Sequence, residues 1–193
     1  MANLKEVKNR IESVTSTQQI TSAMKMVAAA KLKRAQDKIT QMRPYSQKLT
    51  GILQNVSAGM DDKMESAYSE VRETENVLLV VVTSDRGLCG AFNNNVIKAA
   101  NKCITEDYSY EAKHDGVHIL PIGKKAYEFF KKRDFHVIDE HYQMFGDLSF
   151  EKAKVAAEQV LKGFVDRKFD KVELIYNEFK NVATQIIRTE QLL

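Results

Sequence analysis

From Leu4 to Met60 apolar residues recur on alternating steps of three and four, and this period constrains the chain more than any other feature. The seam runs Leu4, Val7, Ile11, Val14, Gln18, Thr21, Lys25, Ala28, Leu32, Ala35, Ile39, Met42, Ser46, Leu49, Leu53, Val56, Met60, and thirteen of these seventeen positions are apolar. Such spacing is the a/d signature of a coiled-coil helix. Asn3 is a suitable N-cap, with Glu6 three residues on as the second half of a capping box. No glycine intervenes before Gly51, and the register resumes after Pro44, so a kink and not a stop is expected there. A helix of this length is roughly 80 Å long. A domain of a hundred residues has a radius of gyration of about 13 Å, so the remaining residues cannot cover the seam. No second heptad pattern of comparable length occurs in the 193 residues. The seam therefore requires a partner helix from elsewhere.

Charge divides the chain in the same place. Residues 1–60 carry ten Lys/Arg against three Asp/Glu, a net of +7, whereas residues 61–193 carry nineteen against twenty-three, a net of −4. The basic helix is a poor fit to nucleic acid, because Tyr45 is its sole aromatic and stacking platforms are missing. It is an equally poor fit to a lipid surface, because Ala28, Ala29, Ala30 and Ala35 are small where membrane insertion wants bulk. Small residues favour close helix–helix approach, and an acidic protein partner suits the charge. Between Glu12 and Lys25 there is no charge at all, and apolar residues shift to Ile20, Met24 and Val27. That stretch is either a local stutter of the coil or a smooth collar passing through an opening in a partner. A basic segment with Lys25, Lys31, Lys33, Arg34 and Lys38 follows it.

The remainder reads as an α/β domain. Strands are expected at 77–82, 117–122, 135–138, 172–176 and 184–188, and helices at 93–105, 124–132 and 149–168, with Ser149 as an N-cap. The run Val-Leu-Leu-Val-Val-Val at 77–82 has the composition of a strand buried on both faces. Alternation of strand and helix implies a mostly parallel sheet of about five strands. The domain plan is a shaft helix at 1–60, a polar linker at 61–76 and the α/β domain at 77–193.

Chemistry-bearing motifs are few. The turn after the first strand reads Thr-Ser-Asp-Arg-Gly-Leu-Cys-Gly-Ala-Phe-Asn at 83–93. It occupies the position where doubly wound folds place phosphates, yet it has neither the dinucleotide fingerprint nor the Lys-Ser/Thr end of a P-loop. Asp85 and Arg86 at an exposed strand end suit polar contacts with another protein better. His136, Asp139, Glu140 and His141 match no standard metal spacing, and Cys89 and Cys103 form neither a metal motif nor a disulfide framework. No catalytic constellation, cofactor site or metal site is expected. The N-terminus has no apolar core typical of a secretory signal. A nucleotide-binding enzyme and a homodimeric coiled-coil scaffold are the competing classes.

Two motifs together resemble the gamma subunit of F-type ATP synthases: Ile-Thr-Ser-Ala-Met-Lys-Met-Val-Ala-Ala-Ala-Lys at 20–31 and the 83–93 turn. Leu-Lys-Glu-Val-Lys-Asn-Arg-Ile at 4–11, Arg-Pro-Tyr at 43–45 and Ile-Gly-Lys-Lys at 122–125 add to it. The resemblance runs through essentially the whole chain. It implies a non-catalytic central rotor shaft with a Rossmann-like foot domain, coupling transmembrane ion flow to ATP synthesis or hydrolysis in a ring of alternating subunits. The implied partners are the alpha and beta subunits of that ring, the epsilon subunit and the membrane c-ring, with no nucleic acid and no direct lipid insertion. The implied place is peripheral, on the cytoplasmic face of a bacterial inner membrane. Gln18, Thr21, Met24, Lys25, Val27, Lys31 and Arg34 are the implied ring contacts. Asp85, Arg86, Gly87, Leu88, Cys89 and Gly90 are a contact loop or a structural corner. Members of the family continue past a segment like Thr-Glu-Gln-Leu-Leu at 189–193 into a C-terminal helix, so the resemblance implies that the missing seam partner is that helix.

Overall fold

The computed structural model describes residues 3–59, 67, 68, 70 and 72–193. Met60 and residues 61–66, 69 and 71 of the expected linker lie outside the described residues. The chain divides into two units, Met1–Met64 and Glu65–Leu193, and each is taken by itself.

The first unit is one helix, α1 (Leu4–Gly59), which runs through Pro44. Asn3 starts it by accepting the amide of Lys5 on its side chain at 3.4 Å and that of Glu6 on its carbonyl at 2.8 Å. Threonine hydroxyls turn inward along it: Thr15, Thr17, Thr21, Thr40 and Thr50 each donate to the carbonyl four residues back at 2.8 to 3.0 Å. Those hydroxyls are satisfied within the helix, which leaves methyl groups outermost. The apolar seam itself is exposed, with Leu4, Val7, Ile11, Val14, Ile39, Met42, Leu49, Leu53 and Val56 all open to solvent. A helix gains most of its stability from packing its apolar face, and none of that gain is realised on these residues. Among the described residues no helix is long and apolar enough to cross a membrane.

The second unit is built around its first strand. β1 (Val77–Val82), β2 (Val117–Ile122), β3 (His136–Val137), β4 (Lys171–Phe179) and β5 (Gln185–Gln191) form one sheet in the order β3-β2-β1-β4-β5. β1, β2, β3 and β4 are parallel, and β5 alone is antiparallel, against β4. The five-residue connection from 180 to 184 is too short for a crossover, so a hairpin is the available geometry. Side chains of β1 alternate between two cores. Val77, Leu79 and Val81 meet α2 (Phe92–Glu106) and α4 (Lys124–Phe130) through Val96, Ala100, Ala126 and Phe130. Leu78 and Val80 meet α5 (Phe150–Val165) through Val160 and Phe164. Burial on both faces is what the unbroken apolar run required.

Element ends differ from expectation where local geometry decides. The third strand shrinks to two residues, and the fourth and fifth lengthen. Ser149 caps α5 as expected, accepting the amide of Lys152, but the helix stops at Val165, short of Lys168. There Arg167 takes φ +57° and the amide of Lys168 bonds back to Gly163 at 2.8 Å, the reversal that closes a helix C-terminus. The helix expected at 124–132 ends at Phe130 and tightens to a 3₁₀ turn at Lys131–Arg133. A short helix α3 (Ser109–Lys113), a 3₁₀ turn at Met144–Asp147 and the Asp134 reversal at φ +54° had no periodic signal. Where the segment before β1 is described it is tied down. Arg72 donates to the Phe164 carbonyl at 2.7 Å and lies over the Phe164 ring, and Asp170 accepts the amides of Glu75 and Asn76.

A polar group sits among the apolar ones beneath α2. Glu173 accepts the Tyr108 hydroxyl at 2.5 Å and the Cys103 thiol at 3.3 Å, and pairs with Lys171 at 3.4 Å. Burial, reinforced by the Glu173 carboxylate, pushes both the Cys103 thiol and the Tyr108 phenol well up, so both remain protonated donors. Tyr108→Phe removes one of them and is expected to cost about 1–3 kcal/mol in urea unfolding, the penalty for an under-satisfied buried acceptor. A second prediction concerns acid. His118 is half-buried and stacks on His136 at 5.2 Å between ring centroids, and burial, then the neighbouring His136, lowers its pKa. The folded state therefore prefers neutral His118. Its contribution is complete above the unfolded value of about 6.5 and is lost as pH falls below it. The thermal midpoint of the chain should drop between pH 7 and 5, and His118→Phe should flatten that slope.

Candidate functional site

The candidate residues fall in two places, one in each unit. On α1 all seven are exposed. Met24, Val27, Lys31 and Arg34 follow steps of three and four down one stripe, while Gln18, Thr21 and Lys25 form another. At 100° per residue the two stripes are roughly 130° apart around the axis. A flat partner meets one stripe at a time; a partner that encircles the helix meets both. Among the described residues no charged side chain of α1 takes part in an ion pair; the ion pairs lie between Glu70 and Arg188. Lys25, Lys31 and Arg34 thus keep their full charge toward solvent or a partner.

In the second unit the 83–93 turn is a corner filled by its own side chains. Asn93, the first-turn residue of α2, is buried at its centre. Its Oδ1 accepts the Ser84 amide at 2.9 Å, and its Nδ2 donates to Ser84 Oγ at 2.9 Å, to the Arg86 carbonyl at 3.3 Å and toward Cys89 Sγ at 3.2 Å. Ser84 Oγ donates to the Arg86 carbonyl at 2.6 Å. The amides of Ser84, Phe92 and Asn95 are spent on Asn93, Cys89 and Ala91. A phosphate cradle needs amides free and aimed at the ligand; these three are taken by the polypeptide itself.

The corner is also locked to the start of α4. Asp85 Oδ1 accepts the Lys124 amide at 3.1 Å, buried Thr83 accepts the Ala126 amide on its hydroxyl at 2.9 Å, and the Lys125 amide reaches the Ser84 carbonyl at 3.2 Å. Three orphan donors of that helix terminus are satisfied this way. The close approach depends on Gly123, at φ +110°, where a Cβ would lie 2.1 Å from the Thr83 carbonyl oxygen. Among the six loop residues, Asp85 therefore turns inward as a cap. Gly90 supplies φ +60°, and Arg86 gives its carbonyl to the corner. Gly87, Leu88 and Cys89 are exposed, with Leu88 wholly so at φ +61°.

The histidine group considered for a metal is dispersed. His136 stacks on His118, His141 bonds Gln159 and Asp139 pairs with Lys131. Among the described residues no three His, Cys, Asp or Glu are placed to hold a metal ion. Sequence reasoning did not single out Asn93, Thr83 or Gly123. The signal was available in two of the quoted motifs, 83–93 and 122–125, but nothing in either says that they touch.

A sequence profile of the ATP synthase family matches residues 3–193. The chain belongs to the ATP synthase gamma family. An ATP synthase gamma chain of Cytophaga hutchinsonii is 55% identical over 193 residues, covering 100% of this chain and 65% of that relative. The corresponding chain of Christiangramia forsetii is 51% identical, covering 100% and 66%. The chain thus spans a little under two thirds of the length of these relatives. Among solved structures, the central stalk and c-ring of the Tetrahymena thermophila mitochondrial ATP synthase is similar, with a TM-score of 0.64 and 27% identity over 90% of this chain and 72% of that one.

The packing of the corner separates its glycines. Gly123→Ala is expected to cost about 2–4 kcal/mol, because backbone must move. Gly87→Ala has nothing within 4 Å of the new Cβ and should stay within about 0.5 kcal/mol. Paired urea titrations of the two variants check this.

Proposed function

We propose that the chain is the rotor element of a rotary ATP synthase: a shaft helix joined to a foot domain, transmitting torque and carrying out no bond chemistry itself. The observation that carries the reading is the exposed seam of α1, which demands helical company, in a chain of the gamma family. The alpha and beta subunits of the ring are the partners for Gln18, Thr21, Met24, Lys25, Val27, Lys31 and Arg34, and the corner at Asp85–Gly90 offers a further contact. The epsilon subunit and the c-ring are the partners for the foot, and the complex lies peripherally on the cytoplasmic face of a bacterial membrane. The plan 1–60, 61–76 and 77–193 then becomes shaft, connection and foot.

The physical logic of the shaft follows from its surface. A collar at 13–24 carries no charge, and Thr15, Thr17 and Thr21 are bonded back into the helix, so it offers a surrounding sleeve no ion pair and fewer free hydroxyls. Below it the unpaired cations give an electrostatic hold that varies smoothly with rotation and weakens with salt. Torque needs both, a bearing that slides and a contact that grips.

Reconstitution with purified ring subunits tests this. The full chain should co-purify with the ring, and deletion of residues 1–35 should abolish rotation-coupled hydrolysis. Charge reversal at Lys25, Lys31 and Arg34 together should weaken ring association about tenfold or more, more steeply at low salt. Unchanged assembly and coupled hydrolysis after the deletion would exclude the shaft role.

A further inference from the structure

The set His136, Asp139, Glu140 and His141 comes apart in the fold, yet one of its members meets a histidine that spacing did not suggest. β3 is held to β2 by two register pairs, His118 with His136 and Ile119 with Val137, and by the Ile138 amide on the Ile119 carbonyl at 2.8 Å. One of the two pairs is thus histidine on histidine. The strands are parallel and in register, so both side chains leave the same face of the sheet. Their rings lie 5.2 Å apart between centroids and 28° from parallel, and Phe169 abuts His118 edge-on at 5.3 Å. His114 and His141 bond Tyr110 and Gln159. Among the described residues neither His118 nor His136 has a hydrogen-bond partner or a paired acid.

Two such rings on neighbouring strands offer what a borderline metal ion takes. Imidazole nitrogen ligates zinc at about 2.0–2.1 Å, so two rings on one tetrahedral ion have centroids about 5 Å apart. The observed separation of 5.2 Å meets that requirement. Histidine χ2 is a broad, soft torsion, so the ring nitrogens can turn to a common point with neither strand moving. Burial favours neutral His118, the form that ligates. His136 is exposed and His118 half-buried. A cavity bordered by Ile138 and Phe169 opens beside them, which gives an ion a way in and room for its water. Lys162, Asp166 and Lys168 line that cavity too, so its charge does not select the ligand; the imidazoles do. Among the described residues no third His, Cys, Asp or Glu completes the set, and water fills the remaining positions.

We infer that His118 and His136 form a two-histidine site for a divalent transition-metal ion of the zinc class, a clamp that fastens the edge strand β3 to β2. Hard cations such as magnesium want oxygen ligands and are excluded. A bound ion closes the segment through α4 from His118 to His136 and stabilises the fold by mass action. The inference rests on the second unit and is independent of the rotor reading.

The test titrates the isotope-labelled full chain with zinc chloride. Amide shifts are expected at His118–Ile119 and His136–Val137, saturating at one ion per chain, and the thermal midpoint should rise with zinc but not with magnesium. His136→Gln, at an exposed position, should leave the metal-free midpoint in place and raise Kd about tenfold or more. His114→Gln with His141→Gln should leave zinc binding unchanged. No shift up to about 1 mM zinc, shifts that survive His136→Gln, an equal response to magnesium, or shifts centred on His114, His141 or Cys89 in place of the pair would each overturn it.

Discussion

Everything in the second unit is arranged around the obligation of β1 to bury both of its faces. Six consecutive apolar residues cannot lie at a sheet edge or present a face to water, so strands must flank them and helices must cover both sides. β2 and β4 take the flanks, α2 and α4 one face, α5 the other. The 83–93 corner is where this strand must leave the core, and Thr83 is still buried as it does so. Its polar groups have to be answered locally, and Asn93, Asp85 and the first amides of α4 answer them. The corner's conformation is thus a consequence of the strand's burial.

The same corner divides its residues between an inward and an outward side. Side chains that turn inward (Asp85, Asn93) set the loop, and that setting holds Leu88 wholly outside at a left-handed φ. Changing an inward residue would alter what the outward ones present. Of the two readings of 85–90, the hydrogen bonds of Asp85 and Asn93 account for the structural corner, and the exposed residues are what a contact would have to use.

Periodicity made α1 legible almost to the residue, and composition marked β1, because both patterns follow from burial or its demand over many residues. The antiparallel turn of β5 followed from a short connection but was not fixed by composition. What stayed illegible was set by single residues in unusual backbone states: Arg167 ending α5, Asp134 before β3, Gly123 beneath Thr83. Asn93 was unremarkable among three consecutive asparagines; only the strand–helix angle selects the first as the buried hub. The residues at 18–34 that are proposed as contacts stood out as an uncharged stretch followed by a charge cluster, since neither pattern needs a tertiary neighbour to exist.

The place of α1 ahead of every strand of the sheet has a consequence for synthesis. Its seam leaves the ribosome before any strand of the sheet is made. At about 5–20 residues per second, the 132 residues from Gly59 to Gln191 take roughly 7 to 26 s to follow. Throughout that interval the nascent chain displays a long apolar stripe before the sheet behind it is complete, so this helix offers a holdase chaperone a surface to cover during synthesis.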